Sequence, residues 1–403
     1  VDPTKFVRTE FGQVVRTLGD HGFFAYLPSA IPREIELDSR TVLLLSDADD
    51  ALGRLAGVGR LLPNPHLLAS AYLTQEAVAS SRIEGTQASL SEVFRAVAAG
   101  GSPPSSDVQE VRNYIAALEH GLARLQQLPV CLRLTREIHR TLMTNVRGRE
   151  QHPGEFRTTQ NWIGSSGDRP DTAAFVPPPV DHLAACLADW ECYANETPRV
   201  PVLVQCGLLH YQFETIHPFL DGNGRLGRLL IVLFLVNRAR LPQPLLYISR
   251  FFEDNRAEYY DRLQGVRERG EIQEWLQLFL TAVAVQARDA VDRAEALVDL
   301  RERYRQALRG SRSRAPEVVD LLLGNPVLTA GRVERELAIT NAGALNLIRQ
   351  LESLEVVQDV GRTGRGGRRV WMAHDVLAVL EGRSGDDQSA SGDHDVSMRE
   401  DAQ

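Results

Sequence analysis

Glu214-Thr215-Ile216-His217-Pro218-Phe219-Leu220-Asp221-Gly222-Asn223-Gly224-Arg225-Leu226-Gly227-Arg228 is the stretch on which the reading of this chain turns. An apolar helix ends near Ile216, a short polar loop follows, and a second apolar helix begins near Gly224 or Arg225. Two glycines flanking Asn223 let backbone N–H groups turn inward as an anion nest. The N-terminus of the following helix adds its unpaired N–H groups and its positive dipole end. Arg225 and Arg228, spaced i, i+3, project from the first helical turn on neighbouring lines. Together these features suit a polyphosphate. Asp221, beside the nest, is placed to hold Mg²⁺, which usually binds through one or two carboxylates plus phosphate oxygens. His217 titrates near neutrality and suits a general base acting on an attacking hydroxyl. A glycine-rich turn with a core histidine and two surface arginines is the bland alternative. The density of polar and glycine positions in this window favours the site.

Outward from this window the chain reads as helical. Residues 66–84 place Leu67, Leu68, Ala71, Tyr72, Gln75, Ala79 and Ile83 near one face, and Gly85 suits a C-cap. Helical spacing recurs from Val111 to Leu125, at Thr135–Thr144, over 181–194 and 201–216, and through 254–308. The segment 224–240 is apolar nearly all round and predicts a buried central helix. Residues 1–60 mix proline, glycine and charge and predict irregular structure with short helices. Glycines and prolines punctuate 148–180, which fits a hairpin or a long loop.

The residues of the central window resemble the Fic family, whose motif is His-x-Phe-x-(Asp/Glu)-Gly-Asn-Gly-Arg-x-x-Arg. His217, Phe219, Asp221, Gly222, Asn223, Gly224, Arg225 and Arg228 match every fixed position. The resemblance implies a mainly α fold, a Fic-type helical core with a β-hairpin flap. It also implies an enzyme that transfers AMP from ATP to a Ser, Thr or Tyr hydroxyl of a target protein. In that scheme His217 deprotonates the hydroxyl and Asp221 holds Mg²⁺. Gly222, Asn223 and Gly224 bind the α- and β-phosphates, Arg225 contacts the β-phosphate and Arg228 the γ-phosphate. Pro153–Arg157 and Gln160–Gly164 look like the approach to the flap, which grips a target backbone by strand addition. Its return is expected at Phe175-Val176, with a plain structural hairpin as the alternative. Asn255–Tyr260 is similar to the segment that supplies adenine-pocket aromatics. Tyr260 is the candidate contact there, with core packing of both tyrosines as the alternative.

Ser80-Ser81-Arg82-Ile83-Glu84-Gly85 resembles the inhibitory motif of the self-inhibited class with an N-terminal inhibitory helix. The resemblance implies that Glu84 pairs with Arg228 in a bidentate salt bridge and denies that arginine to the γ-phosphate. Ser80 is expected to support Glu84 from one turn earlier, and Gly85 to end the helix. Removal of AMP from a modified protein is a competing reading, in which Glu84 positions water.

Residues 316–382 read as three helices and two strands, a small C-terminal unit that resembles a winged helix-turn-helix. Asn341, Asn346 and Arg349 are candidate groove contacts; Arg362, Arg365, Arg368 and Arg369 of the wing are candidate phosphate contacts. Packing or dimerisation is the alternative use, and a nucleotide-sensing DNA-binding regulator is the alternative function. The expected organisation is 1–105, an N-terminal helical region carrying the inhibitory helix; 106–308, the Fic core; 316–382, the winged helix; and 383–403, a disordered acidic tail.

The 403 residues suggest two or three domains. The net charge of −8 excludes a whole-surface coat for nucleic acid but no local basic patch. Six acids and two arginines give the tail of 383–403 a net −4, half of that total. The four cysteines show no metal-ligand spacing and suit a reducing compartment. No signal peptide is expected at the start, and the longest apolar run, Leu229–Val236, is too short for a bilayer. A cytoplasmic protein with no membrane partner follows as the expectation. A homodimer is left open.

Overall fold

The computed structural model describes residues 2–17, 22–61, 65–101, 103–146, 152–164, 167–363 and 367–382. The chain divides into two compact units, Val1–Asp292 and Arg293–Gln403. The acidic tail at 383–403 lies outside the described residues. Among those residues no helix is long and apolar enough to cross a membrane.

The first unit opens with an antiparallel hairpin of β1 (Gly12–Arg16) and β2 (Phe24–Pro28), in which Val14 faces Tyr26. Next come α1 (Ser39–Leu61), α2 (Pro65–Ile83), α3 (Leu90–Ala99), α4 (Ser106–Arg124) and α5 (Leu132–Leu142). After a long irregular stretch come α6 (Val180–Asn195), α7 (Val202–Ile216), α8 (Asn223–Asn237), α9 (Ser249–Asp254) and α10 (Arg256–Arg269). The helix α11 (Ile272–Ala307) runs across the division between the units.

The N-terminal sixty residues differ from the expectation of irregular structure and short helices. They hold a hairpin and a 23-residue helix. Ala48, Ala51, Leu52 and Leu55 are buried at i, i+3, i+4, i+7 along α1. Three aspartates and three glycines in the same helix blur that stripe in the sequence.

At the centre lie α7 and α8, packed on each other and buried along nearly their whole length, as all-round apolarity requires. Trp190 and Trp275 donate their indole N–H groups to the carbonyls of Leu209 and Gly207 on α7, each at 3.0 Å. A Cβ on Gly207 would meet Leu276 Cδ2 at 3.0 Å, so a glycine permits the close approach of α11. The helix α2 packs on α4 and α9, and α3 begins with a reciprocal capping box between Ser89 and Glu92.

Among the described residues the expected flap shows one antiparallel bridge, Ile163–Phe175, closed by hydrogen bonds of 2.8 and 3.1 Å. The side chains of Phe175 and Val176, expected at the return of the flap, pack into the core. Their side chains are 2% and 0% exposed. Val176 packs with Ala25, Ala173, Phe6 and Phe24, and its carbonyl accepts the Tyr26 N–H at 2.9 Å. The N-terminal hairpin has taken the surface that the sequence left open.

The second unit contains α12 (Ala315–Gly324), β3 (Val327–Leu328), α13 (Ala330–Leu337), α14 (Asn341–Ser353), β4 (Gln358–Thr363), β5 (Arg368–Met372) and α15 (His374–Glu381). Its sheet has the order β3-β5-β4, all antiparallel. This is the expected winged helix-turn-helix, with β3 and α15 added.

Candidate active site

The loop between α7 and α8 is held from three sides. His217 ends α7 in the left-handed region at φ 48°, ψ 61°. Pro218 disfavours the right-handed helical conformation at that residue, and a non-glycine in the left-handed region is strained and must be held by its surroundings. Those surroundings are visible. The His217 carbonyl accepts from Arg157 Nε at 3.1 Å and from Asn161 Nδ2 at 3.0 Å. Asn161 Nδ2 also donates to the Phe219 carbonyl at 2.9 Å.

Asn223 closes the loop from within. Its Oδ1 accepts the Phe219 N–H at 2.9 Å and its Nδ2 donates to the Phe219 carbonyl at 2.8 Å. The Asn223 side chain is therefore spent on shape, and what it offers an anion is its backbone. Gly222 caps α8 at φ 76°, and a Cβ there would lie 2.7 Å from Met143 Sδ. Asp221 Oδ1 accepts the Gly222 N–H at 2.6 Å, and the Asp221 side chain remains 45% exposed.

His139 on α5 ties this loop to the chain before the flap. Its Nδ1 accepts the Gly154 N–H at 2.8 Å, so Nε2 carries the proton and donates to the Asp221 carbonyl at 2.9 Å. The ring stacks on Phe219 at 3.8 Å. Burial pushes its pKa from 6.5 down to about 4, which keeps this tautomer neutral.

His217 is neutral for the same reason. Burial, assisted by the positive charge of Arg267, lowers its pKa to about 4. Nδ1 lies 3.4 Å from the Glu214 carbonyl, which can only accept. Nδ1 therefore carries the proton and Nε2 the lone pair, the state that a general base requires.

The arginines are both buried. Arg225 NH1 lies 3.4 Å from Glu110 Oε2, which also accepts from Thr86 Oγ1 at 2.9 Å. Arg228 NH2 donates to Glu84 Oε1 at 2.7 Å and to the Ser80 carbonyl at 2.9 Å, while Nε donates to Ser80 Oγ at 2.9 Å. Two expectations change here. The Glu84–Arg228 pair makes one N–H···O bond, from NH2, rather than a bidentate one, and Ser80 takes Nε and shares NH2. Ser80 supports Arg228 rather than Glu84. Burial alone would raise the Glu84 pKa, but Arg228 outweighs it and holds the carboxyl below its ordinary value. Gly85 ends the segment at φ 95°, with Thr86 N–H donating back to the Ser81 carbonyl at 3.2 Å.

The position of Glu84 is more informative than its partner. A Cβ on Gly224 would lie 2.3 Å from Glu84 Oε1. The carboxylate is thus seated against the first turn of α8, where an anionic ligand would bind. Around it opens a cavity of about 480 Å³, lined by His217, Asp221, Gly222, Arg225, Arg228 and Tyr260 among others. Tyr260 is 40% exposed on this cavity, whereas Tyr259 is buried with its hydroxyl 2.8 Å from His210 Nε2. The two neighbouring tyrosines therefore divide between the cavity and the core. Among the described residues no group of three or more His, Cys, Asp or Glu could hold a metal ion by itself.

In the second unit Asn341, Asn346 and Arg349 are exposed on α14, with Asn341 donating to Glu334 and Arg349 to Asn346. Arg362, Arg368 and Arg369 are exposed on β4 and β5. Arg365 lies outside the described residues.

The sequence reading missed the supports. The sequence places Arg157 and Asn161 on the approach to the flap and does not single out His139 or Glu110. Nothing in their spacing points to a loop more than fifty residues away.

The site is a glycine-flanked loop at a helix N-terminus, with a carboxylate seated against it and a neutral histidine beside it, on a helical scaffold. Comparison with known proteins then gives the similarities of its parts. Residues 42–123 match the Fic/DOC family N-terminal region, residues 129–235 the Fic/DOC family, and residues 315–372 an HTH DNA binding domain. Residues 42–123 and 129–235 thus carry the two Fic/DOC regions. It is similar to Protein adenylyltransferase Fic of Drosophila grimshawi, 28% identical over 247 residues, covering 60% of this chain and 47% of that protein. Protein adenylyltransferase fic-1 of Caenorhabditis briggsae is 29% identical over 189 residues, covering 45% and 34%. The chain thus spans less than half the length of these curated relatives. Its fold resembles that of a Fic family protein from Desulfovibrio desulfuricans G20, with a TM-score of 0.56 at 20% identity, covering 84% of this chain and 97% of the other.

Proposed function

We propose that this chain is a self-inhibited protein adenylyltransferase. It would transfer AMP from ATP to a Ser, Thr or Tyr hydroxyl of a target protein. The observation that carries this reading is the Glu84 carboxylate, seated against Gly224 and paired with Arg228, next to a neutral His217.

The chemistry is a substitution at the α-phosphorus. The target hydroxyl oxygen forms the new P–O bond, the bond to the β-phosphate oxygen breaks, and pyrophosphate leaves. His217 Nε2 takes the hydroxyl proton. The backbone N–H groups of Gly222, Asn223 and Gly224 and the dipole of α8 hold the phosphates, with Arg225 and Arg228 on the β- and γ-phosphates. Asp221 fits a Mg²⁺ ion: a single exposed carboxylate beside a phosphate nest is what that ion takes when substrate supplies its other oxygens. Such an ion would neutralise phosphate charge. Glu84 inhibits by holding Arg228 and by presenting negative charge where the γ-phosphate would lie, so the phosphates are not aligned for attack.

Labelling with tagged ATP tests this. Self-labelling rises in Glu84→Gly relative to wild type; equal labelling of the two sinks the brake. A second reading concerns the C-terminal unit. The exposed face of α14 that carries Asn346 and Arg349 suits a DNA groove, so the same chain would also contact DNA.

A further inference from the structure

Glu214 lies in the last turn of α7, three residues before His217, and is only 6% exposed. Its Oε1 has no hydrogen-bond partner among the described residues. The side chain nevertheless lines the same cavity as Asp221, Arg228 and Tyr260. A Cβ on Gly227 would fall 2.3 Å from Oε1, so a glycine in α8 is what lets the carboxyl lie there. A buried polar oxygen left without a partner is costly, and in a ligand cavity the ligand is the natural donor.

The chemistry of a nucleotide decides which part of it can serve. A triphosphate presents only acceptors and negative charge, which a carboxylate repels. Its place is the nest, with Arg225 and Arg228. Donors are carried by the nucleoside: the hydroxyls of the sugar and the amino group of the base. Burial pushes the Glu214 carboxyl up to about 7, with Arg228 on α8 and Arg267 on α10 favouring ionisation and Glu84 opposing it. The field of the carboxyl is also felt by Tyr259 and Tyr260 on α10.

We propose that Glu214 reads the nucleoside, its carboxyl accepting a hydrogen bond from a donor on the sugar or the base. This rests on the nucleotide-binding reading given above. A site built to bond a donor rejects analogues that lack it far more strongly than an apolar wall does. The cavity would then discriminate among nucleotides through a residue outside the phosphate nest.

The test is equilibrium binding to the full chain with the brake released by Glu84→Gly. Affinities for ATP, GTP, 2′-deoxy-ATP, 3′-deoxy-ATP and inorganic tripolyphosphate are compared with and without Glu214→Leu. Thermal melting checks that the variant folds. ATP binding should weaken about tenfold or more, with tripolyphosphate binding unchanged. Loss of ATP-over-GTP preference in the variant identifies the base amino group as the donor. Loss of preference over a deoxy analogue identifies a sugar hydroxyl. If the variant keeps every ratio of its parent, Glu214 does not read the nucleoside. If the parent binds tripolyphosphate but not ATP, or binds neither, the nucleotide reading itself fails. Should Glu214→Leu not fold, the isosteric Glu214→Gln carries the same comparison, with a severalfold loss expected and unchanged ratios again overturning the proposal.

Discussion

The loop 217–223 and the end of α2 at 80–85 meet at the same arginine-lined nest but are held in different ways. The loop is over-determined. Arg157, Asn161, Asn223 and His139 together bond the carbonyls of His217, Phe219 and Asp221, and every one of those four side chains is buried. Glu84 reaches the nest through one hydrogen bond to Arg228 and keeps its side chain 35% exposed. A catalytic loop must keep its geometry through turnover. On the proposed function Glu84 must be able to leave, and a single ion pair with one partly exposed partner is weak enough for that.

The comparison can be broken or sharpened in order of expected effect. In the Glu84→Gly background, adding His217→Ala should lower AMP transfer by about 100-fold or more, since a positioned base contributes at least that much. Retained labelling would remove His217 as the base. Glu84→Gly alone should raise labelling of wild type by about tenfold or more while leaving the melting temperature nearly unchanged, because it removes only one partly exposed contact. A large fall in melting temperature would show that Glu84 is structural. Asn161→Ala should do the opposite. It removes one of the two buried donors from each of the His217 and Phe219 carbonyls, costing roughly 1–3 kcal/mol in chemical denaturation, and it should lower activity equally with and without the brake.

Acid should attack the loop before the brake. The pKa of His139 falls from 6.5 to about 4 on folding, so between these values the unfolded chain binds the proton and the native one does not. Stability therefore rises with pH through this window and is lost as pH falls from about 6.5 toward 4. Urea midpoints measured across that range should fall steadily, with a shallower slope in His139→Gln. The smallest effect is expected far from the site. Arg349→Ala should weaken DNA retention by the full chain severalfold, with no change in labelling by its Glu84→Gly form; unchanged retention would argue that α14 does not touch DNA.

The amino-acid sequence by itself determined the motif helix pair, the glycine-flanked loop between them, and the places of His217, both arginines and Glu84 at the helix ends. These are local: glycine conformations, a helix start and i, i+3 spacing are all written within a dozen residues. It also determined the winged helix, because three short amphipathic helices and a hairpin are legible by their own periods. Tertiary structure alone decided the rest. It packed Phe175 and Val176 under the N-terminal hairpin, because which apolar surface is covered depends on what folds against it. It turned Ser80 toward Arg228 rather than Glu84. It assigned Tyr259 to the core and Tyr260 to the cavity, although they are adjacent in the chain. And it brought Arg157, Asn161 and His139 to the carbonyls of a loop that no sequence spacing connects them to, since a backbone carbonyl carries no signature of its partner.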